Sequence, residues 1–166
     1  MPFYLAQVNI ALPLEPLDTP LLGDFVAALE PVNAAADAAP GFVWRLQTDG
    51  GDATAIKAFG DERLIVNMSV WESLEALRAF VYADHKHLAV LRRRREWFAR
   101  LGDIHTVLWW VPGGQLPTVH DAEERLALLR TIGPSPAAFS FREHFTQPDD
   151  PTSVSVIDER DLCPAG

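Results

Sequence analysis

The chain has 166 residues, 48% hydrophobic and 22% charged, which is enough apolar content for one globular domain whose core needs neither disulfides nor metal. Its 23 acidic and 14 basic residues give a net charge of −9, which argues against a nucleic-acid surface despite the local run Arg92 to Arg95. There is no apolar run of about 18 residues and no charged start followed by a cleavage site, so neither membrane spanning nor export is expected and the cytoplasm is the expected compartment.

In chain order, FYLAQVNI (Phe3 to Ile10) predicts a first strand. Tyr4, Ala6, Val8 and Ile10 form its apolar face; Phe3, Leu5, Gln7 and Asn9 form a face that turns polar toward its end. Residues 18–37 have a helical period, with Asp18 or Thr19 as cap, Pro20 in the first turn and Pro31 as a point of kinking or division. A Pro-Gly turn leads to a second strand, Phe42 to Thr48, then to the loop DGGDAT and a third strand, Arg63 to Trp71. Ser73 caps a long second helix, with Glu72 and Glu75 near its positive end and an apolar stripe of Leu74, Leu77, Val81, Leu88, Leu91 and Phe98. An interruption fits near Ala83 and Asp84. Ile104 to Val111 form a fourth strand, and a third helix runs from its cap Thr118 to its stop Gly133, with AFSF (138–141) as one more short strand. From Thr146 onward apolar periodicity is lacking, which predicts a domain over 1–145 and a flexible tail over 146–166. The single cysteine, Cys163, falls in that tail and is given no role.

The order βαββαβ with an added helix is that of an α+β, ferredoxin-like antiparallel sheet with helices on one face. The opposite face, which includes Val8, Ile10, Met68 and Val70, is too apolar to stay wet, so a homodimer pairing sheet to sheet is expected.

Several polar side chains stand on the strands among aromatics. One face of each strand collects Gln7 and Asn9, Arg45 and Gln47, Asn67 with Ser69 and Trp71, and His105 with Trp109. A few polar groups among aromatics is the composition of a small-molecule pocket, although the same groups can satisfy one another inside a core. Arg45, alone on a short apolar strand, either fixes a carboxylate or enolate bidentately or is held by an acid such as Asp37. Trp44, Trp109 and Trp110 fill either a core or a ligand wall. His85 and His87 would lie about 200° apart on a continuous helix, so they do not form a paired metal site. Arg92 to Arg95 span a helical turn and are not one anion clamp; Arg95, beside the apolar stripe, is the one placed to reach a bound anion. Without a Gly-rich phosphate loop, cysteine cluster or HExxH pattern, neither a nucleotide cofactor nor a metal is expected.

The strings NMSVWESLEALRAFVY, HLAVLRRRREWF, VLWWVPGGQLPT and FVWRLQT resemble an uncharacterised bacterial domain family grouped with the dimeric α+β barrels, the superfamily that includes antibiotic biosynthesis monooxygenases. The likeness covers Pro2 to Arg142. It implies a dimeric α+β barrel with a pocket between the sheet and its helices, and it places a histidine at His87. It further implies a small-molecule-binding protein, read as a cofactor-independent, monooxygenase-like enzyme acting on an aromatic or polyketide-like substrate. His87, as base, and Asn67 and Arg45 would then be the catalytic residues, with Gln7, Asn9, Ser69, Trp71 and Trp109 binding the ligand. Two other readings stand beside it. One is a non-catalytic dimeric binding module. The other is a haem-binding protein, as in superfamily members that pair a strand-one asparagine with a helix tryptophan and a histidine, although Phe80 stands where that tryptophan is expected.

Overall fold

The structure, a computed structural model, describes residues 2–47, 54 and 58–148. Four strands, β1 (Phe3–Ala11), β2 (Phe42–Arg45), β3 (Ile65–Trp71) and β4 (Thr106–Pro112), form one antiparallel sheet in the order β2-β3-β1-β4. That order is the ferredoxin-like one expected from βαββαβ. Among the described residues the α-helices are α1 (Gly23–Asp37), α2 (Leu74–Ala83), α3 (His85–Trp97) and α4 (Val119–Ile132). Of the loop expected over 49–54 only Thr54 is described, Thr48 at the expected end of the second strand is not, and the expected tail lies outside the described residues from 149 onward.

Local chemistry sets most boundaries. Thr19 precedes a 3-10 turn, Pro20–Leu22, that leads into α1, and α1 then runs through Pro31 undivided, since a proline inside a helix removes one backbone bond without necessarily ending it. Gly41 holds a left-handed φ of +81° in the Pro-Gly turn, where a Cβ would meet that of Ala76 at 2.5 Å; only glycine fits there. Ser73 caps α2 by accepting from the Ala76 N–H, and Thr118 and Asp121 form a reciprocal capping box on α4. The AFSF segment does not form a strand but contributes two isolated bridges, Ala138 with Ser135 and Phe139 with Leu108 on the edge strand β4, with which Phe139 exchanges both backbone hydrogen bonds.

The break near Asp84 is real, and it shapes the site. Asp84 is extended (φ −70°, ψ 123°), ending α2 while its carboxylate accepts the Lys86 and His87 N–H groups, each at 3.0 Å, to begin α3. We expect Asp84→Ala to cost about 1 kcal/mol in urea unfolding, the usual value of an N-cap. No change would mean the break is held by packing alone.

The sheet separates two cores. On one face, Leu5, Trp71 and Leu108 pack with Ala36 of α1, Leu74, Leu77 and Phe80 of α2, and Phe139. On the other, Ala6, Val8, Val66, Met68, Val70 and Trp109 pack with Ala122, Leu126 and Leu129 of α4, and Leu64 and Phe59 help close it. The connecting helices thus lie on one face as expected, and α4 covers the face assigned above to a second copy. Val8, Ile10, Met68 and Val70 are all buried within the single chain. This corrects the burial argument for a sheet-to-sheet homodimer, because the added helix already supplies the cover that was sought from a partner.

Candidate functional site

Antiparallel register builds the floor of the site. Asn9 on β1 stands directly opposite Asn67 on β3 and Thr106 on β4, so the three polar side chains form a row across the face that carries α1 and α2. The Asn9 amide donates to Thr106 Oγ1 at 3.2 Å, which fixes its orientation. One pleat further along β1, Gln7 donates to Ser69 Oγ at 2.8 Å, and Ser69 Oγ also accepts Trp71 Nε1–H at 2.8 Å. That row is buried and satisfies itself.

Beside Asn9 and Asn67 lies a cleft of about 480 Å³ between the end of the sheet and α3. His87, Val90, Leu91, Arg94 and Arg95 of α3 line one side, and Phe25 of α1 and Phe98 close an apolar end with their rings 4.9 Å apart, edge to face. Arg100, Leu101 and His105 form the rim that leads back to β4. The volume falls within the usual range for small-molecule sites.

His87 is the best-defined polar group in this cleft. Its Nδ1 lies 2.9 Å from the carbonyl oxygen of Val81, in the last turn of α2. A carbonyl only accepts, so Nδ1 carries the proton and Nε2 keeps its lone pair in the neutral ring. The Val81 carbonyl is available because the chain stops being helical at Asp84; a helix running on would use that oxygen itself. The ring also packs against Phe80, 5.0 Å away. Burial lowers the His87 pKa below the ordinary imidazole value, outweighing the opposing effects of the Val81 hydrogen bond and the Asp84 charge. His85, two residues earlier, is exposed.

The structure therefore brings His87, Asn67 and Asn9 together, with Arg95 and His105 on the same cleft, and leaves Arg45, Gln7, Ser69, Trp71 and Trp109 elsewhere. Arg45 is turned to Asp37, donating from Nε at 2.8 Å and from Nη2 at 3.3 Å, the structural pairing that its position also allowed. Gln7, Ser69 and Trp71 hold one another in the buried row, with Trp71 stacked on Phe80. Trp109 is on the opposite face beneath α4, since Thr106, Leu108 and Trp110 are the β4 residues that share a face with Asn9. Phe80, at the position where a haem-binding relative would carry tryptophan, is buried between Trp71 and His87 and does not line the cleft, so the residues there do not fit that arrangement. Among the described residues no group of three metal-ligating side chains could hold a metal ion, and no helix is long and apolar enough to cross a membrane.

Arg94, Arg100 and Phe25 were not picked out from the sequence. A signal for Arg94 was present: positions 87, 90, 91, 94, 95 and 98 are spaced i, i+3, i+4, i+7, i+8 and i+11, one helical stripe that begins at His87.

A ferredoxin-like α+β domain with a polar-floored cleft between its sheet and a helix is the class that this geometry defines. The chain belongs to the family described as a domain of unknown function, DUF3291, which it matches over residues 4–155. No functionally curated protein matches it. Among solved structures it is similar to SnoaB, a cofactor-independent oxygenase from Streptomyces nogalater, at 16% identity and a TM-score of 0.44, over 68% of this chain and 95% of that one. It is also similar to protein SO0527 from Shewanella oneidensis (11% identity, TM-score 0.48, 65% of this chain and 90% of that one). Rv0793 from Mycobacterium tuberculosis is a third (13% identity, TM-score 0.47, 69% and 99%). At these identities the likeness is one of fold.

Proposed function

We propose that the chain binds a small, largely apolar aromatic molecule in the cleft beside α3 and that His87 withdraws a proton from it, as a cofactor-independent, monooxygenase-like enzyme would. The observation that carries this reading is the Val81 carbonyl on Nδ1, which leaves Nε2 as the open basic nitrogen of a ring lining the cleft. A hydroxyl or acidic C–H of the ligand would give its proton to Nε2, and the amides of Asn67 and Asn9 would stabilise the negative charge that develops on the ligand oxygen. The electron-rich anion would then react with dioxygen, the co-reactant. This reading uses residues of one chain and holds whether or not two copies pair.

Oxygen uptake above the spontaneous rate with a dihydroxynaphthalene tests the chemistry. His87→Ala is expected to keep its circular dichroism and lose about 100-fold or more of that uptake, the usual contribution of a general base. Unchanged uptake in the variant would remove His87 from the reaction. Binding without uptake in the unaltered protein would favour the non-catalytic binding module.

The pH dependence has a definite sign. Because burial holds His87 below the ordinary imidazole value, the base form persists into mildly acidic solution, and the acid limb of the activity should have its midpoint below that value. Stability follows the same direction. The contribution of His87 is full above the unfolded imidazole pKa and is lost as pH falls from there through the folded value, where the unfolded chain binds the proton more readily. An NMR titration of the His87 ring checks both, and a midpoint at or above the ordinary value would contradict them.

A further inference from the structure

Among the described residues, the ionisable side chains that line the cleft are His87, His105, Arg94, Arg95 and Arg100, with no aspartate or glutamate. In a chain of 23 acidic and 14 basic residues this is a local reversal of charge. Four arginines that point elsewhere have carboxylate neighbours: Arg93 pairs with Glu96 at 2.8 Å and Asp24 at 3.0 Å, Arg45 with Asp37, Arg63 with Asp61, and Arg130 with Asp103. Arg93 in addition lies over the Trp97 ring, 4.7 Å from its centroid. The four-arginine run is thus divided by its helical phase, with Arg93 neutralised on the side toward α1 and Arg94 and Arg95 turned to the cleft.

From this arrangement we infer that the cleft is built for an organic anion, an aromatic carboxylate whose ring system lies among Phe25, Phe98, Ile65 and Leu91 and whose carboxylate meets Arg95 at the rim. Among the described residues Arg95 has no carboxylate partner, and like-charged Arg94 and Arg100 are its neighbours. Partial loss of solvent, followed by the like charges of Arg100 and Arg94, holds the Arg95 pKa below its ordinary value, so an anion bound there would relieve an existing repulsion. A guanidinium offers the planar pair of donors that a carboxylate accepts bidentately. The inference deepens the proposed function and rests on the same cleft. It adds that the substrate carries a permanent negative charge at the end remote from the proton given to His87.

Titration calorimetry at low ionic strength compares 5-hydroxy-1-naphthoate, whose hydroxyl and carboxylate sit on different rings, with 1-naphthol, which has the same ring system and hydroxyl without the carboxylate. The acid should bind about tenfold or more tightly than the naphthol, and added salt should reduce the difference. Arg95→Gln should remove most of that preference, read as the ratio of the two dissociation constants. Arg93→Gln, in the same run but already paired, should leave both unchanged. Equal binding of the two probes, or a preference that survives Arg95→Gln, would overturn the inference while leaving the proposed function intact. Tighter binding of 1-naphthyl phosphate than of the carboxylate would overturn the assignment of a carboxylate. Binding of none of the three would overturn both readings of the cleft.

Discussion

Trp109→Ala is expected to lower the unfolding free energy by about 3–5 kcal/mol and to leave 1-naphthol binding in the folded fraction unchanged. The reason is its face of the sheet. Trp109 stands opposite Ala6 in the β1–β4 ladder, is 1% exposed, and belongs to the core that α4 closes. Its removal takes a large ring from an interior that cannot fully collapse, whereas the cleft floor of Asn9 and Asn67 lies on the other side of the sheet. Urea unfolding and calorimetry on the same preparation separate the two effects. A variant of near-normal stability that no longer binds 1-naphthol would return Trp109 to the ligand wall assigned to it from the sequence.

The second large effect is expected at Leu126. This α4 side chain is 1% exposed and packs into the same core as Val8, Met68 and Val70, so Leu126→Ala should cost about 2–5 kcal/mol. The measurement also decides what covers the sheet. Were two sheets to pair directly, α4 would have to leave that face, and shortening a side chain on it would cost no more than about 0.5 kcal/mol, the range of ordinary surface changes. Urea unfolding together with sedimentation at micromolar concentration distinguishes the two arrangements.

The strand order, the Ser73 and Thr118 caps and the interruption at Asp84 were all readable, because each depends on chemistry within a few residues: alternation, a short oxygen-bearing side chain before an apolar stripe, a cap inside a run. The pairing of Asn9 with Asn67 was also within reach, since both lie on the polar side of their strands. What was not legible came from longer-range geometry. Whether Trp109 or Trp110 shares a face with Asn9 turns on a one-residue choice of register, and an error of one moves every side chain of β4 to the other side. The apolar outer face demanded cover, but hydrophobicity carries no address, and nothing in Ala122, Leu126 and Leu129 alone distinguishes a helix that folds back from one that lies elsewhere. Arg45 presented an even choice between ligand and Asp37, which only their proximity resolves.

The oxygen that orients His87 belongs to the main chain. An imidazole held by an aspartate can be disarmed by changing that aspartate, but no side-chain replacement at Val81 deletes a carbonyl. Drift at position 81 therefore leaves the choice of protonated nitrogen untouched. The vulnerability is displaced to Asp84, three residues away and ending in neither ring nitrogen: any change that let α2 wind straight into α3 would reclaim the Val81 oxygen for the backbone and leave an intact histidine without its instruction. A sequence comparison that scored only the histidine would call such a protein competent.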